Sequence, residues 1–247
     1  MISEFLFKSE IDLNKLEEIN DSVKDGERIV VVKDAINLFT LKRWEKFIKN
    51  RLNLKSDRRH YNIDGKLVLD TWWNITYDPE KQHSYTYSKT AQPLHNDNAW
   101  FSDPAEINFF FMEKQAFKGG ESIFYPIRRI LNDLQSEEPQ LFDDLQTTIV
   151  TIQKGNHEYS NTTSILKDGK IFWNYYRTIK KDNQIRKMCD YFFSFLKMKE
   201  SSKSIISYRM DSGDILFLND LTMLHGRLAF EAHSKGDRSL FQSMWRI

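Results

Sequence analysis

The stretch EINFFFMEK at residues 106–114, followed by ESIFYPI at residues 121–127, is rich in aromatic and β-branched side chains. Gly119 and Gly120 lie between the two segments, and paired glycines commonly mark turns. This combination predicts two β-strands joined by a short connection.

The same composition recurs along most of the chain. Further strands are predicted in KLVLDTWWNITY (66–77), TTIVTIQK (147–154), KIFWNYYRT (170–178), SIISYRM (204–210), DILFLND (214–220) and RSLFQSMWRI (238–247). An amphipathic helix is predicted at residues 185–198. Because strands dominate and do not alternate with helices as βαβ units would, the chain is predicted to be mainly β with flanking helices, as a double-sheet jelly-roll barrel.

The N-terminal part has a different pattern. RIVVVK (28–33) predicts a short buried strand, and TLKRWEKFIKNRL (40–52) predicts a helix that Thr40 can cap. We expect this strand-helix segment, at about residues 1–64, to belong to a single domain of residues 1–247, because that length is ordinary for one all-β domain.

Composition and charge restrict the class of partner. Lys and Arg number 36 against 35 Asp and Glu, so the net charge of +1 argues against nucleic acid or a membrane surface and favours a small molecule. The single cysteine, Cys189, excludes an internal disulfide and fits a reducing cytoplasm. No secretory signal or membrane span is predicted. These features leave the oligomeric state open.

A metal site is indicated by two distant segments. In PLHNDNAWF (93–101), His95 and Asp97 stand two residues apart, and on an extended strand such residues point to the same face. In GDILFLNDLTMLHGRLAF (213–230), His225 offers a third ligand. Two histidines and one carboxylate leave three coordination positions open, as a non-haem iron(II) oxygenase requires for a keto acid and O2. The first pair alone is a weak signal, because such pairs arise by chance.

A carboxylate-binding group supports this interpretation. Arg238 follows His225 in a segment predicted to return towards the metal, and it could hold a dicarboxylate by a bidentate pair. The Ser122 hydroxyl could bond the same carboxylate. Arg227 is a second candidate for a co-substrate or substrate carboxylate; alternatively, it forms a salt bridge with an acid such as Asp220 or Glu231.

Taken together, these motifs resemble the taurine dioxygenase and clavaminate synthase-like superfamily of iron(II)/2-oxoglutarate oxygenases. In chain order they are His95-x-Asp97, Gly119-Gly120-x-Ser122, Gly213-Asp214, His225-Gly226-Arg227 and Arg238. The resemblance implies a double-stranded β-helix, iron on His95, Asp97 and His225, and the distal carboxylate of 2-oxoglutarate on Arg238. Many members have Thr in place of Ser122. Halogenating relatives lack the carboxylate ligand, so the presence of Asp97 favours hydroxylation or another oxidation without halide.

The substrate is expected beside the metal motif. Asn96, Asn98 and Trp100 offer the polar and aromatic groups of a small-molecule pocket, and Arg227 could join them. We expect hydroxylation of an unactivated C–H bond of a free amino acid or similar small polar metabolite, with O2 consumed and succinate and CO2 released. The alternatives are an oxygenase acting on a protein residue, and a non-catalytic jelly-roll protein that binds a ligand or metal.

Overall fold

The computed structural model describes residues 1–6, 12–24, 26–37, 39–61, 67–68, 70–155 and 159–247. The helices in this part of the chain are α1 (Asp12–Lys24), α2 (Leu41–Asn50), α3 (Ile127–Glu137), α4 (Pro139–Thr147) and α5 (Asn183–Lys199), with a 3-10 turn at Ala35–Asn37. None of these helices is both long enough and apolar enough to cross a membrane.

Strands make up most of the remaining regular structure. In chain order they are β1 (Ile2–Leu6), β2 (Ile29–Lys33), β3 (Lys55–Asp57), β4 (His60–Tyr61), β5 (Leu67–Val68), β6 (Trp73–Thr76), β7 (Gln92–His95), β8 (Ile107–Lys114), β9 (Lys118–Gly119), β10 (Ser122–Pro126), β11 (Ile149–Lys154), β12 (Tyr159–Ser164), β13 (Leu166–Lys167), β14 (Lys170–Ile171), β15 (Thr178–Ile179), β16 (Ile206–Tyr208), β17 (Ile215–Asn219), β18 (Met223–Arg227), β19 (Phe230–Glu231) and β20 (Ser239–Arg246).

Two sheets form the centre of the molecule. The major sheet has the order β1-β2-β17-β8-β20-β3, with β6 also paired to β20, and the minor sheet has the order β16-β10-β18-β7. Along the chain, β6, β7, β8 and β10 alternate between the two sheets, and so do β16, β17, β18 and β20. These eight strands pair antiparallel. This double-stranded arrangement is a jelly roll, which confirms the predicted fold class.

Strand β8 is buried on both faces, which explains its nearly continuous apolar sequence. On one face Met112 joins Leu216 and Phe124 in the core between the two sheets. On the other face Phe109 lies in a second core, where its ring stacks on Phe217 with centroids 4.7 Å apart. A strand covered on only one face would alternate apolar and polar residues instead.

The N-terminal segment covers the outer face of the major sheet. Strand β2 pairs antiparallel with β17, and α2 begins after Thr40, whose side chain accepts a hydrogen bond from the Arg43 N–H. The buried face of α2 includes Trp44, which packs in one cluster with Trp245 of β20. Because strand pairing and side-chain packing both join this segment to the jelly roll, we propose that residues 1–247 fold as one domain.

The minor sheet is covered by α3, α4, α5 and the small sheet β12-β11-β15, which share one apolar core. The predicted strand over residues 170–178 was wrong at residues 172–177, which form no strand. The cause is tertiary packing, since Trp173 and Tyr175 turn onto α5, with ring centroids 4.7 Å from Phe192 and 4.4 Å from Phe193.

We predict that Trp44→Ala lowers the free energy of unfolding of the whole domain by about 3–5 kcal/mol, the usual cost of truncating a buried aromatic residue. Urea unfolding followed by far-ultraviolet circular dichroism and by tryptophan fluorescence should still show one coincident transition. The exposed Lys42→Ala on the same helix is the control, with an expected change within about 0.5 kcal/mol. Two separate transitions would contradict the single domain.

Candidate metal centre

The pairing of β7 with β18 brings the two histidines together. His95 is the last residue of β7, His225 is the central residue of β18, and the two are register partners. Their ring centroids lie 4.5 Å apart. Gly226 permits this approach, because a Cβ atom there would meet the Gln92 carbonyl oxygen at 2.7 Å.

Asp97 reaches the same point from a turn. Strand β7 ends at His95, so the expectation that both residues lie on one strand face was wrong. The Asp97 backbone N–H instead donates to Asp220 Oδ2 at 2.8 Å, which fixes the turn. The carboxylate of Asp97 lies 3.6 Å from His95 Nε2 and 3.3 Å from His225 Nε2.

These three side chains have the geometry of a metal-binding group. One nitrogen or oxygen of each lies within 4.8 Å of the others. His95 Nδ1 is 2.9 Å from the Pro93 carbonyl oxygen, and His225 Nδ1 is 2.8 Å from Asp220 Oδ1. Because an acceptor oxygen lies beside each Nδ1, the tautomer with its proton on Nδ1 is favoured in both rings, and each Nε2 can then present a lone pair on the Asp97 side. The residues therefore fit a divalent cation.

The electrostatics also favour a positive charge at this point. Burial disfavours the charge on Asp97, but His225 and His95 outweigh that effect and hold the pKa of Asp97 well below its ordinary range. Burial likewise disfavours a charged imidazole, yet Asp220 and Asp97 raise the pKa of His225 to about 10. Burial raises the pKa of Asp220, and His225 offsets this only in part. A bound metal ion would replace the imidazole proton as the counter-charge.

Asp220 is a site residue that the sequence analysis did not place here. It lies in the turn between β17 and β18, fully buried, and it contacts both His225 and the backbone of Asp97. A carboxylate on the distal nitrogen of a metal-binding histidine fixes the ring and its tautomer. An acid directly after the apolar strand DILFLN was the available signal.

A cavity beside this group extends towards two arginines. Its lining residues are Ile75, Gln92, His95, Asp97, Phe110, Ser122, Phe124, Met210, His225, Gly226, Arg227, Arg238, Leu240 and Gln242. Ser122 and Arg227 are register partners on β10 and β18. The cavity therefore joins the candidate metal ligands to the residues predicted to bind a co-substrate.

Arg238 directly precedes β20 and is 2% exposed, and its Nε has no hydrogen-bond partner. Burial, with the nearby charges of Arg227 and Arg209, lowers the pKa of Arg238 to about 9. No carboxylate of the described residues lies within salt-bridge distance of it. A buried unpaired guanidinium is costly unless a ligand supplies the acceptor, so this end of the cavity fits a carboxylate.

Arg227 is buried next to Arg238, and it does not form the salt bridge that the sequence left open. Its Nη2 donates to the carbonyl oxygens of Ser88 and Thr90, at 2.9 and 2.7 Å. Neither acid suggested as its partner is paired with it: Asp220 contacts His225, and Glu231 contacts Lys118 at 2.7 Å. Burial lowers the pKa of Arg227 to about 10. Arg227 lines the cavity, and its hydrogen bonds to the Ser88 and Thr90 carbonyls hold the loop before β7 in place.

Asn96, Asn98 and Trp100, the predicted substrate residues beside the metal motif, are not among the residues that line the cavity. The Asn96 amide is engaged internally, donating to the Asp220 carbonyl at 2.6 Å and accepting from the Trp173 N–H at 3.3 Å. Asn98 is buried in the left-handed region, with φ of 58°. Trp100 is buried and its Nε1 has no partner.

Lys154 is a further residue that the sequence analysis missed. Its ammonium lies 4.4 Å from the centroid of the Trp100 ring. Burial, together with the nearby Arg177, lowers the pKa of Lys154 to about 8, against an opposing effect of Asp97. A lysine at the end of a predicted strand carried no sequence signal for this position.

Comparison with known proteins identifies the family. The model of the taurine catabolism dioxygenase TauD, TfdA family matches residues 53–245, so the chain belongs to that family. Gamma-butyrobetaine dioxygenase of Homo sapiens is 23% identical over 184 residues, covering 68% of this chain and 47% of the relative. Dioxygenase str8 of Strobilurus tenacellus is 21% identical over 168 residues, covering 64% and 40%. The chain thus spans less than half the length of these relatives.

Solved structures share the fold. Asparagine oxygenase in complex with Fe(II), 2S,3S-3-hydroxyasparagine and succinate superimposes with a TM-score of 0.69 at 14% identity, covering 95% of this chain and 77% of that one. The non-heme iron oxygenase OrfP, in complex with Fe, succinate and (3R,4R)-dihydroxy-L-Arg, gives 0.66 at 14% identity, covering 96% and 80%.

We predict that Asp97→Ala or His225→Ala abolishes high-affinity binding of Fe(II) or Co(II) while the protein stays folded, because each removes one of three ligands. Anaerobic calorimetric titration measures the binding, and circular dichroism checks the fold. His233→Ala is the matched control, since His233 is exposed on a loop. If a folded His225→Ala variant binds the metal as tightly as wild type, the assignment of His225 as a ligand is wrong.

Proposed function

We propose that this protein is a non-haem iron(II)/2-oxoglutarate-dependent dioxygenase that hydroxylates a small polar metabolite. The observation that carries the proposal is one cavity with two chemically distinct ends. His95, Asp97 and His225 converge at one end, and the buried Arg238 lies at the other. Membership of the TauD/TfdA family supports the same reaction class.

In this proposal His95, Asp97 and His225 hold iron(II), and three coordination positions remain for 2-oxoglutarate and O2. The iron supplies the oxidation chemistry, in which 2-oxoglutarate and O2 are converted to succinate and CO2 as the substrate C–H bond is hydroxylated. The protein's part is to orient the reactants. The contacts of His225 with Asp220 and of His95 with Pro93 keep both rings in the ligand tautomer.

Arg238 and Ser122 are proposed to bind the distal carboxylate of 2-oxoglutarate. Both line the cavity, and the guanidinium of Arg238 offers planar donors suited to a carboxylate. Arg227, opposite Ser122 in the register, adds positive charge at the same end. Because its Nη2 already serves the Ser88 and Thr90 carbonyls, we assign the co-substrate primarily to Arg238.

The substrate is proposed to be a free amino acid or a similar small molecule that carries a carboxylate. Two proteins of the same fold are in complex with 2S,3S-3-hydroxyasparagine and with (3R,4R)-dihydroxy-L-Arg. Lys154, which lies over the Trp100 ring and interacts with the charge of Asp97, is proposed to supply a cation and Trp100 an aromatic surface, and Asn98 is the amide that remains a candidate for substrate contact. A placed cation and a few polar groups orient a small substrate for attack at one C–H bond.

The proposal extends to the kind of partner and to the location of the protein. The near-zero net charge supports a small molecule over nucleic acid, and the buried unpaired Cys189 is compatible with a cytoplasmic location. Oxidation of a protein residue and ligand binding without turnover are the competing functions, and each would give a different result in an assay of succinate release.

We predict that anaerobic addition of Fe(II) and 2-oxoglutarate to the wild-type protein gives a visible charge-transfer absorption. On admission of O2, a screen of free amino acids and related metabolites should then find one that stimulates succinate release. In Arg238→Ala, loss of a charge-assisted pair of roughly 1.5–3 kcal/mol should raise the 2-oxoglutarate requirement about ten- to a hundredfold. Iron affinity measured without 2-oxoglutarate should stay nearly unchanged.

Arg227→Ala is the comparison variant for this experiment. If it shows the larger effect on 2-oxoglutarate and Arg238→Ala shows none, the two arginines are assigned the wrong way round. A wild-type protein that binds Fe(II) and 2-oxoglutarate but never releases succinate would favour the non-catalytic alternative. Stimulation by peptides or folded proteins alone would favour oxidation of a protein residue.

We also predict that Trp100→Leu and Asn98→Gly weaken substrate-stimulated succinate release but preserve the slow turnover of 2-oxoglutarate without substrate. Glycine is chosen because Asn98 has a positive φ, so only the side chain is tested and the backbone is not strained. Steady-state assays with and without substrate give the two rates. Equal loss of both would show that these residues support the metal site instead.

A further inference from the structure

Two buried amides contact the carboxylate of Asp97 from the major sheet. Asn108 Nδ2 of β8 donates to Asp97 Oδ2 at 2.7 Å, and Gln242 Nε2 of β20 donates to the same oxygen. Gln242 Nε2 also lies 3.0 Å from Asn108 Oδ1, so the two amides are hydrogen-bonded to each other. Asn108 is fully buried and Gln242 is 4% exposed.

These amides stand in an otherwise apolar surface. On the same strands and the same sheet face lie Phe110, Leu240 and Met244. A buried amide in such a place costs free energy unless its hydrogen bonds are satisfied, and an apolar residue would pack there without that cost. The acceptor that satisfies both amides is one oxygen of Asp97, which points to a role in the metal centre.

The two carboxylate oxygens of Asp97 have different hydrogen-bond partners. Oδ2 receives both amide hydrogen bonds and lies 3.3 Å from His225 Nε2, whereas Oδ1 receives neither amide and lies 3.6 Å from His95 Nε2. The backbone of the turn is fixed separately, since the Asp97 N–H donates to Asp220. With the backbone and one carboxylate oxygen both fixed, the rotation of the carboxylate about its Cβ–Cγ bond is restricted.

We propose that Asn108 and Gln242 form an amide clamp, in which their two hydrogen bonds engage Oδ2 so that Asp97 binds the metal through Oδ1 alone. This inference rests on the proposed function and extends it to two positioning residues. Coordination through both carboxylate oxygens would occupy a fourth position of six and leave two, too few for a chelating keto acid together with O2. The clamp therefore keeps open the position at which O2 must bind.

The clamp also links the metal centre to the major sheet. β8 and β20 are neighbours, with Met244 opposite Asn108 and Gln242 opposite Phe110. The two histidines belong to the minor sheet, so Asp97 is held by amides from the opposite sheet. A shift of one sheet relative to the other would alter the angle between the carboxylate and the two imidazole rings.

The test compares Gln242→Met, which removes the donor at similar size, with Met244→Leu as the control on the same face of β20. Co(II) is titrated into the metal-free proteins without 2-oxoglutarate, so a direct contact of Gln242 with the co-substrate does not contribute. Loss of an outer-shell partner should weaken Co(II) binding by about 10–100-fold. Met244→Leu should stay within about threefold of wild type by the same measure.

A second readout is the visible spectrum of the Co(II) protein with 2-oxoglutarate, which reports coordination number. It should change in Gln242→Met and stay as in wild type in Met244→Leu. If Gln242→Met does not fold, Gln242→Asn withdraws the same donor by shortening the side chain and should show the same two effects.

The two hypotheses fail in different ways. Wild-type protein that binds no Co(II) would overturn the proposed function. Wild-type protein that binds Co(II) and 2-oxoglutarate, with Gln242 variants of unchanged affinity and spectrum, would overturn the amide clamp alone. In that case the only role of Gln242 and Asn108 would be to form a hydrogen bond with each other within the sheet.

Discussion

The close antiparallel contact between β7 and β18 determines the geometry of the candidate metal centre. Gly226 permits this contact, because any side chain would meet the backbone of β7. The contact makes His95 and His225 register partners, which sets the separation of their rings. Once two imidazoles are fixed in this way, a single carboxylate from the following turn completes the ligand set.

Buried charge is the second constraint on this region. Asp97, Asp220 and His225 are close together in the interior, and Arg227 and Arg238 lie at the other end of the same cavity. Buried charges are stable only when they are paired. The acids and imidazoles pair with one another or with a cation, whereas Arg238, whose guanidinium lies over the Phe230 ring, has no carboxylate partner among the described residues. A dicarboxylate that chelates the metal and reaches Arg238 would satisfy both ends at once.

Sequence patterns were sufficient for the parts of the structure that depend on local periodicity. The strand composition indicated the jelly roll, and the spacing of His95, Asp97, Ser122, His225 and Arg238 indicated residues that the fold brings to one cavity. The apolar spacing of Ile127, Ile130 and Leu134 would have indicated α3, but strand composition on either side obscured it.

The remaining features depend on contacts between distant segments. Asp220, Asn108 and Gln242 lie within or beside apolar strands, and nothing local shows that all three contact Asp97. A polar residue within an apolar strand indicates that it has a buried hydrogen-bond partner, but it does not identify that partner. The turn at Asp97 was mistaken for strand because its position is set by Asp220, which lies far along the chain.

The central claim is that one cavity holds iron and 2-oxoglutarate between the histidine pair and Arg238. An anaerobic crystal structure of the protein with Fe(II) and 2-oxoglutarate tests it most directly. The account predicts metal density on His95 Nε2, His225 Nε2 and Asp97, a keto acid chelating that metal, and its distal carboxylate on Arg238 and Ser122. Metal bound elsewhere, or 2-oxoglutarate ordered in the cavity with Arg238 still unpaired, would contradict it.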